Sequence, residues 1–384
     1  MNEFRSTSYA QQIIFGQGSI TRLGEVIAGF PWRKLMLCAT GSLRRDGSIA
    51  RVEEALGERL VVIYEYVQPH VPDFQVAEAG KLALKYEVDA VIGLGGGSPI
   101  GMAKAVSFSL EEQRAGKPAK AAFATEQPLV PVIAIPTTYA GSEMTPTYGV
   151  TQHSNETARK VTVTDVKVAP KLVLYDPLLT LNLPPSMTAS TGINALAHCV
   201  EALYSITCNP LSTAAASAGA QCIVTALPLC VARGDDVEAR TAMLQGAYLA
   251  GTALSTVAMG LHHGLCHALG GSAGVPHGIA NAIMLPHAMR FNLDATATQL
   301  LPVAEAMHIA LAGRNPVEAG EEAIEAIYAM IGQMNLPQHL RDVGVKQRDL
   351  ARLAQIALQS SAVRNNPKPI TEAAQIESVL RAAW

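Results

Sequence analysis

Residues 89–108 read DAVIGLGGGSPIGMAKAVSF, and the fold class turns on this stretch. The apolar run 90–94 has the length of a strand. It enters Gly95-Gly96-Gly97-Ser98, after which 99–108 carry a helical pattern. Glycines let a backbone approach a ligand closely, Ser98 suits a helix cap, and Pro99 suits the first helical turn. Free N–H groups and a positive dipole end at the helix start are built for a pyrophosphate. The stretch is neither a full G-x-G-x-x-G nor a P-loop, since no Gly-Lys-Ser/Thr follows, and a bare glycine turn is the plain alternative.

Working outward, apolar runs at 12–15, 34–38, 60–64, 90–94, 130–135 and 171–175 alternate with turn signals, with helical patterns at 51–59 and 76–85. This alternation predicts an open, largely parallel sheet with helices on both faces, an α/β dinucleotide-binding domain over 1–184. Beyond Leu183-Pro184-Pro185 strand signals nearly vanish, so 185–384 is expected to be an all-helical domain. The polar segment 110–128 reads as a surface excursion, and 345–384 as peripheral helices without a chemical signal.

The run 130–135 ends in Pro136-Thr137-Thr138-Tyr139-Ala140-Gly141-Ser142-Glu143, again at a strand's C-terminal end, the ligand edge of a doubly wound sheet. The hydroxyls of Thr137, Thr138 and Ser142 and the phenol of Tyr139 suit phosphate, ribose or a nicotinamide amide. Turn capping by Ser142 and Thr145 is the alternative, but two polar glycine loops at strand ends favour a dinucleotide.

The 384 residues suggest two or three domains. With 49% apolar and 16% charged residues the chain is not disordered, and a formal charge of −3 offers no basic excess for nucleic acid or an anionic membrane. Six cysteines are scattered without a CxxC pair, and the start MNEFRSTSYAQQ has no apolar core. Both lead to the expectation of a cytoplasmic protein with reduced thiols. Two runs lack charge, between Glu201 and Arg233 and between Arg240 and Arg290. Asn209-Pro210, Gln221 and Pro228 interrupt the first, and His262, His263, His267, His277 and His287 stud the second. Lipid penalises such groups, so both runs read as buried helices with no membrane partner.

Asn194 and His198 are four apart in GINALAHCVEALYS and share a helix face, as do His263 and His267 in LHHGLCHALGG; His277 follows in VPHGIANA. A lone histidine is usually a satisfied core or surface residue. Several in a stretch without Asp, Glu, Lys or Arg need partners. Three histidines and an oxygen ligand can bind a divalent metal, although Asn194 is a poorer ligand than a carboxylate; a polar pocket for an anionic substrate is the other reading.

Together these segments resemble the iron-containing (group III) alcohol dehydrogenase superfamily, whose fold is shared with dehydroquinate synthase. The likeness runs from FGQGSITRLGEV at Phe15 to LPHAMRFN at Asn292. It includes GGGSPIGMAKA, IPTTYAGSE, Lys160 and YDPLLTLNLP. The resemblance implies NADH or NADPH bound between an N-terminal α/β domain and an all-α C-terminal domain. It assigns cofactor contacts to Gly41, Gly95, Gly96, Gly97, Ser98, Thr137, Thr138, Ser142 and Lys160. Family metal ligands carry over to Asn194, His198, His263 and His277, with Asn194 where metal-using members have Asp. Position 101 is Gly where GGGSxxD is usual, and VQPHVPD at 67–73 is another departure.

TTYAGSEMTP and NALAHCVEALY make the chain most similar to the maleylacetate reductase branch. That branch implies hydride transfer from nicotinamide C4 to the olefin conjugated with the 4-oxo group of maleylacetate, giving 3-oxoadipate in aromatic-compound degradation. His198, His263 and His277 would stabilise the enolate oxygen, and Tyr139 or His267 would deliver the proton. With no Arg or Lys in the long uncharged run, protonated histidines or helix N-termini have to serve the substrate carboxylates. In CATGSLRRDG, Gly41 follows Thr40 where relatives often carry Asp. Arg44 or Arg45 could then meet a 2′-phosphate, so both nucleotides are accommodated, while solvated surface arginines are the plain alternative. Relatives are commonly dimers, and a homodimer acting on a small oxo-acid or aldehyde is expected. A metal-dependent alcohol dehydrogenase or aldehyde reductase, a dehydroquinate-synthase-like lyase and a nucleotide-binding protein without turnover remain as alternatives. The lyase would need basic phosphate-binding residues that the charge-free segment lacks.

Overall fold

A computed structural model describes the chain except residues 1–3, 5, 117–118, 124 and 155–156 and the side chains of 115, 154 and 157–160. Its contacts separate into two compact units, one over Ser8–Leu183 and one containing Pro184–Trp384.

The first unit carries the strands β1 (Gln12–Phe15), β2 (Leu35–Cys38), β3 (Leu60–Tyr64), β4 (Ala90–Gly95), β5 (Val132–Pro136), β6 (Thr147–Ser154), β7 (Thr157–Thr164) and β8 (Leu172–Tyr175). Each expected strand is present within two residues of its reading. Six form one sheet in the order β1-β8-β5-β4-β2-β3, and every neighbouring pair is parallel. Its helices are α1 (Leu23–Ala28), α2 (Gly41–Arg45), α3 (Ser48–Leu56), α4 (Asp73–Lys85) and α5 (Gly97–Ala115). Strand alternation sends Leu35, Leu37, Ile92, Leu94, Ile133 and Ile135 into one apolar layer and Met36, Cys38, Val91 and Val132 into the other. Both faces are therefore covered, as a parallel sheet requires. The chain steps outward from β2 to β3 and then returns to place β4 on the other side of β2. The β2/β4 gap is thus the topological switch point, where such sheets bind ligands beyond their C-terminal ends.

Three expectations are corrected here. Ser98 does not cap α5: the cap position is Gly96, without a side-chain bond, and Ser98 lies in the first turn. The polar run from 110 begins as the last turns of α5. Glu111 is buried there, accepting from the Val130 amide at 2.8 Å and also from the Leu129 amide. A β6–β7 antiparallel hairpin occupies 147–164, where no strand was expected. Its apolar face is short, Tyr148 and Val150 opposite Val163 and Val161, and lies among Thr, Gln, His and Lys that mask the strand signal.

The second unit carries α6 (Pro185–Tyr204), α7 (Pro210–Ala232), α8 (Val237–Leu254), α9 (Leu261–Ala273), α10 (His277–Thr296), α11 (Leu301–Ala306), α12 (Pro316–Gln333), α13 (Leu350–Leu358), α14 (Ser361–Arg364) and α15 (Ala373–Ala382). No strand occurs among its described residues. α6 is the spine, buried from Gly192 to Tyr204, and packs against α7, α8 and α10. By length and composition α7 could cross a bilayer, but it packs along α6, α8 and α11.

Candidate functional site

In the α/β unit the two expected loops interlock at the switch point. Gly95 has φ +135°, a conformation that disfavours any residue with a Cβ. Its carbonyl accepts from the Thr137 amide at 3.1 Å. A Cβ on Gly96 would stand 3.1 Å from both Oγ1 and Cγ2 of Thr138, whereas one on Gly97 would meet nothing within 4 Å. The start of α5 thus faces open space beside Thr138, whose buried Oγ1 has no hydrogen-bond partner. A 19-residue helix with its first amides uncapped by side chains, beside an orphaned hydroxyl, has the donor set of an anion site.

On the other side of the switch point, Gly41 opens α2 after Thr40, whose Oγ1 lies 2.9 Å from the Ser42 Oγ. A side chain at 41 would project to within 3.7 Å of the Glu65 carbonyl and 4.0 Å of the Arg45 guanidinium. The two arginines differ sharply. Arg44 is held by Glu65 at 2.6 Å and Glu53 at 2.7 Å, so it is corrected as a 2′-phosphate partner. Arg45 is exposed, and no ion pair engages it among the described residues.

The departures at 101 and 67–73 meet each other. A Cβ at Gly101 would lie 3.3 Å from Val71 Cγ2, and Val71, like His70, has a positive φ. The irregular 67–73 turn therefore occupies space beside α5 that a residue larger than glycine would contest. Thr137 and Thr138 are buried, Ser142 is half-buried, and Tyr139 is fully buried. The side chain of Lys160 lies outside the described residues.

In the helical unit His198, His263, His267 and His277 do come together. The His198 and His263 rings stack with centroids 4.8 Å apart, His277 is 6.2 Å and His267 6.4 Å from His263, and His267 stacks on His277 at 5.8 Å. Asn194, His198 and His263 are buried, His277 is half-buried and His267 is exposed. α10 begins at His277, so its positive end lies at this cluster.

The residue that organises the cluster is Glu201, which sequence reasoning missed. Fully buried on α6, it accepts from the amides of Gly260 at 3.0 Å, His262 at 3.1 Å and His263 at 3.4 Å, and from the His263 ring through Nδ1. The remaining early amide of α9, that of Leu261, goes to Asn366 Oδ1 at 3.1 Å, and Asn366 in turn pairs with Asn292. The segment from 345 onward is thus not merely peripheral: Asn366 helps seat the histidine helix. Glu201 had a readable signal, three residues after His198 and seven after Asn194 on one helix face; Asn366 had none.

These bonds fix the ring states. His262 Nε2 lies 3.1 Å from the Asn281 carbonyl, so it carries the proton and Nδ1 is an acceptor. His263 Nδ1 faces that acceptor at 3.3 Å and the Glu201 carboxylate, so it donates, and Nε2 is buried without a partner. Burial, then the neighbouring imidazoles, holds His198 well below the ordinary imidazole value, and burial lowers His262 to about 4. Burial works against Glu201 ionising, but His263 and His262 hold its carboxyl below the usual value. The neutral form is thus favoured for His198 and His262, so neither is suited to be one of the protonated histidines expected to meet a substrate carboxylate. Among the described residues of the cluster, the more exposed His267 and His277 and the start of α10 are placed for that task.

A parallel sheet with a glycine crevice in one unit and buried imidazoles on the helices of the other are the two features that define a class of enzyme. The chain belongs to the iron-containing alcohol dehydrogenase family. The iron-containing alcohol dehydrogenase description matches residues 10–177, and the Fe-containing alcohol dehydrogenase family C-terminal description matches residues 188–384. It is an oxidoreductase of that family, on the fold shared with dehydroquinate synthase. It is 34% identical to maleylacetate reductase 1 of Cupriavidus pinatubonensis, over 100% of this chain and 98% of the relative. The structure of maleylacetate reductase from Agrobacterium tumefaciens matches with a TM-score of 0.84 at 31% identity, covering 100% of this chain and 99% of that one. A 1,3-propanediol oxidoreductase structure matches with a TM-score of 0.91 at 31% identity, covering both chains fully.

The family implies a divalent metal. His198 Nδ1 and His263 Nε2 are buried ring nitrogens without partners, and such orphans mark room for an ion, a water or a ligand. The donors fit a borderline-soft ion through three imidazoles, with a neutral amide oxygen from Asn194 in place of a carboxylate. Glu201, His262 and His263 also bring ligand-type atoms within 4.8 Å, but the Glu201 oxygens are already spent on amides and the His263 ring. That trio is a hydrogen-bond centre, not a second metal site.

Proposed function

We propose that this oxidoreductase uses NADH or NADPH to reduce the conjugated double bond of maleylacetate, giving 3-oxoadipate, in the breakdown of aromatic compounds. The observation that carries the reading is the end-to-end similarity to curated maleylacetate reductases, at 33–34% identity over 96% or more of this chain. The crevice supports the nucleotide half: the α5 amides and Thr138 take the pyrophosphate, with Thr137 and Ser142 toward the ribose and nicotinamide; the family resemblance alone adds Lys160. Gly41 leaves room for a 2′-phosphate, and Arg45 is the arginine available to meet it.

Hydride adds to the olefinic carbon β to the ketone, and the electron pair moves to the ketone oxygen as an enolate. The imidazoles of His198, His263 and His277 line the pocket for that oxygen. A divalent ion held by His198, His263, His277 and Asn194 would supply Lewis acidity there. The proton then goes to the α carbon. His267, the most exposed of the four rings, is the better donor, and the buried Tyr139 the second. The start of α10 at His277 offers a carboxylate the positive end of a helix. We assign the enzyme to the cytoplasm as a homodimer; its six free thiols accord with a reducing compartment.

A second reading is a metal-dependent reductase of small aldehydes. It is favoured by 32% identity to 1,3-propanediol dehydrogenase of Klebsiella pneumoniae over 96% of each chain. Maleylacetate, other oxo-acids and 3-carbon aldehydes, each with NADH and NADPH and with or without added Fe(II) or Zn(II), separate the two. Turnover highest on maleylacetate is expected. Turnover confined to aldehydes in the presence of metal would overturn the first reading.

A further inference from the structure

A lysine side chain buried in the α/β unit has no part in the chemistry above. Lys104 sits on α5, two turns beyond the first glycine loop, and is fully buried. Its Nζ donates to the carbonyls of Ser142 at 2.6 Å, Thr145 at 2.8 Å and Thr147 at 2.9 Å. All three belong to the tight turn that follows the second glycine loop and leads into β6. Within the turn the Ser142 carbonyl has only 3.3 Å bonds from the Thr145 amide and hydroxyl, and an ammonium has three N–H groups to bind carbonyls gathered this way. Glu143, in the same turn, is buried as well. Its side chain accepts from the Tyr175 hydroxyl at 3.0 Å, and its backbone carbonyl accepts from Gln11 at 3.1 Å. The second loop is therefore pinned on one side by α5 and on the other by β8 and the residue preceding β1.

We propose that Lys104 is a positioning residue for the dinucleotide crevice: it ties the Ser142–Thr147 turn to the helix that carries the first glycine loop. The tie holds Thr138 against Gly96 and Ser142 beside it. The two loops thereby present one rigid set of donors to a pyrophosphate and a ribose. The inference rests on the reading of this crevice as the nucleotide site. Loss of the ammonium removes three bonds at once, leaving the Ser142 and Thr147 carbonyls only longer bonds from Thr145, at 3.3 and 3.4 Å, so the turn loosens toward water. Nucleotide binding suffers first, because the loop that shifts is the one that contacts it, while the imidazole cluster is untouched.

The test is direct titration of NADH and NADPH, followed by nicotinamide fluorescence, into the wild type, K104M and K104Q, with maleylacetate kinetics and circular dichroism alongside. Methionine keeps the volume and removes every donor; glutamine keeps two N–H groups. The expected result is a nucleotide Kd and KM raised by about tenfold or more in K104M and by less in K104Q, with kcat at saturating nucleotide and the oxo-acid KM within about threefold of wild type. Wild-type affinity in a folded K104M overturns the proposal. So does an equal loss in the two variants, or a parallel fall in kcat and in oxo-acid binding. Should K104M fail to fold, unchanged affinity in K104Q overturns it. A wild type that binds neither nucleotide removes the reading of the crevice itself, a result distinct from any of these.

Discussion

The glycine crevice and the imidazole cluster are built on opposite principles. In the crevice the ligand-facing groups are backbone amides, and the geometry is set by side chains that are missing. Gly95 adopts a φ disfavoured for other residues, Gly96 yields to Thr138, and Gly97 opens on free space. In the cluster the ligand-facing groups are side chains, and two of the rings are aimed by what they bond on the far side. His263 is held by Glu201, and His262 by the Asn281 carbonyl. Adding an atom spoils the first kind of site; exchanging a single oxygen for nitrogen spoils the second.

The widest separation between the two regions should come from H263A. It removes a ring from the pocket for the developing enolate, so kcat is expected to fall by roughly 100- to 1,000-fold, with nucleotide Kd unchanged within about twofold. Unaltered turnover would end the role given to that imidazole. E201Q probes the same side more gently, keeping the shape of the side chain while placing an amide against the Nδ1–H of His263. A drop in kcat of about 10- to 100-fold is expected, together with a change of His263 tautomer visible by ¹⁵N NMR. A normal tautomer with normal kcat would show that the carboxylate only fills space.

On the crevice side, G96A should do the reverse. The new methyl group presses on Thr138, so nucleotide KM rises by about three- to tenfold while kcat at saturation changes little. A fall in kcat without a KM effect would place Gly96 away from the nucleotide. The smallest effect is expected at the arginines. R45A should weaken NADPH by about three- to tenfold and leave NADH unchanged, whereas R44A, which only disrupts partly exposed ion pairs with Glu53 and Glu65, should alter neither. Equal losses for both nucleotides in R45A would discard a 2′-phosphate contact.

Legibility in the sequence followed the same divide. The strands, the glycine loops and the change to helices near Pro185 were readable because each is a local pattern: alternation, a turn residue, a helical period. The histidines were readable as a cluster because an uncharged run makes them conspicuous. The β6–β7 hairpin was not, since its apolar face, Tyr148, Val150, Val161 and Val163, is short and set among polar residues. Ser98 was misread as a cap because a serine before a helical pattern is only a local preference, and here Gly96 takes the cap position instead.

What the sequence by itself determined is the class of site each half provides: backbone donors at strand ends in one, imidazoles on helices in the other. Only the tertiary structure decided which atoms carry the work. Glu201 and Asn366 meet at the first turn of α9 although 165 positions separate them, Arg44 is spent on two carboxylates while Arg45 is not, and Lys104 reaches a turn some forty residues ahead. The physical reason is that a buried polar group must find its partner wherever the fold brings one within hydrogen-bond reach, and no local pattern records that distance.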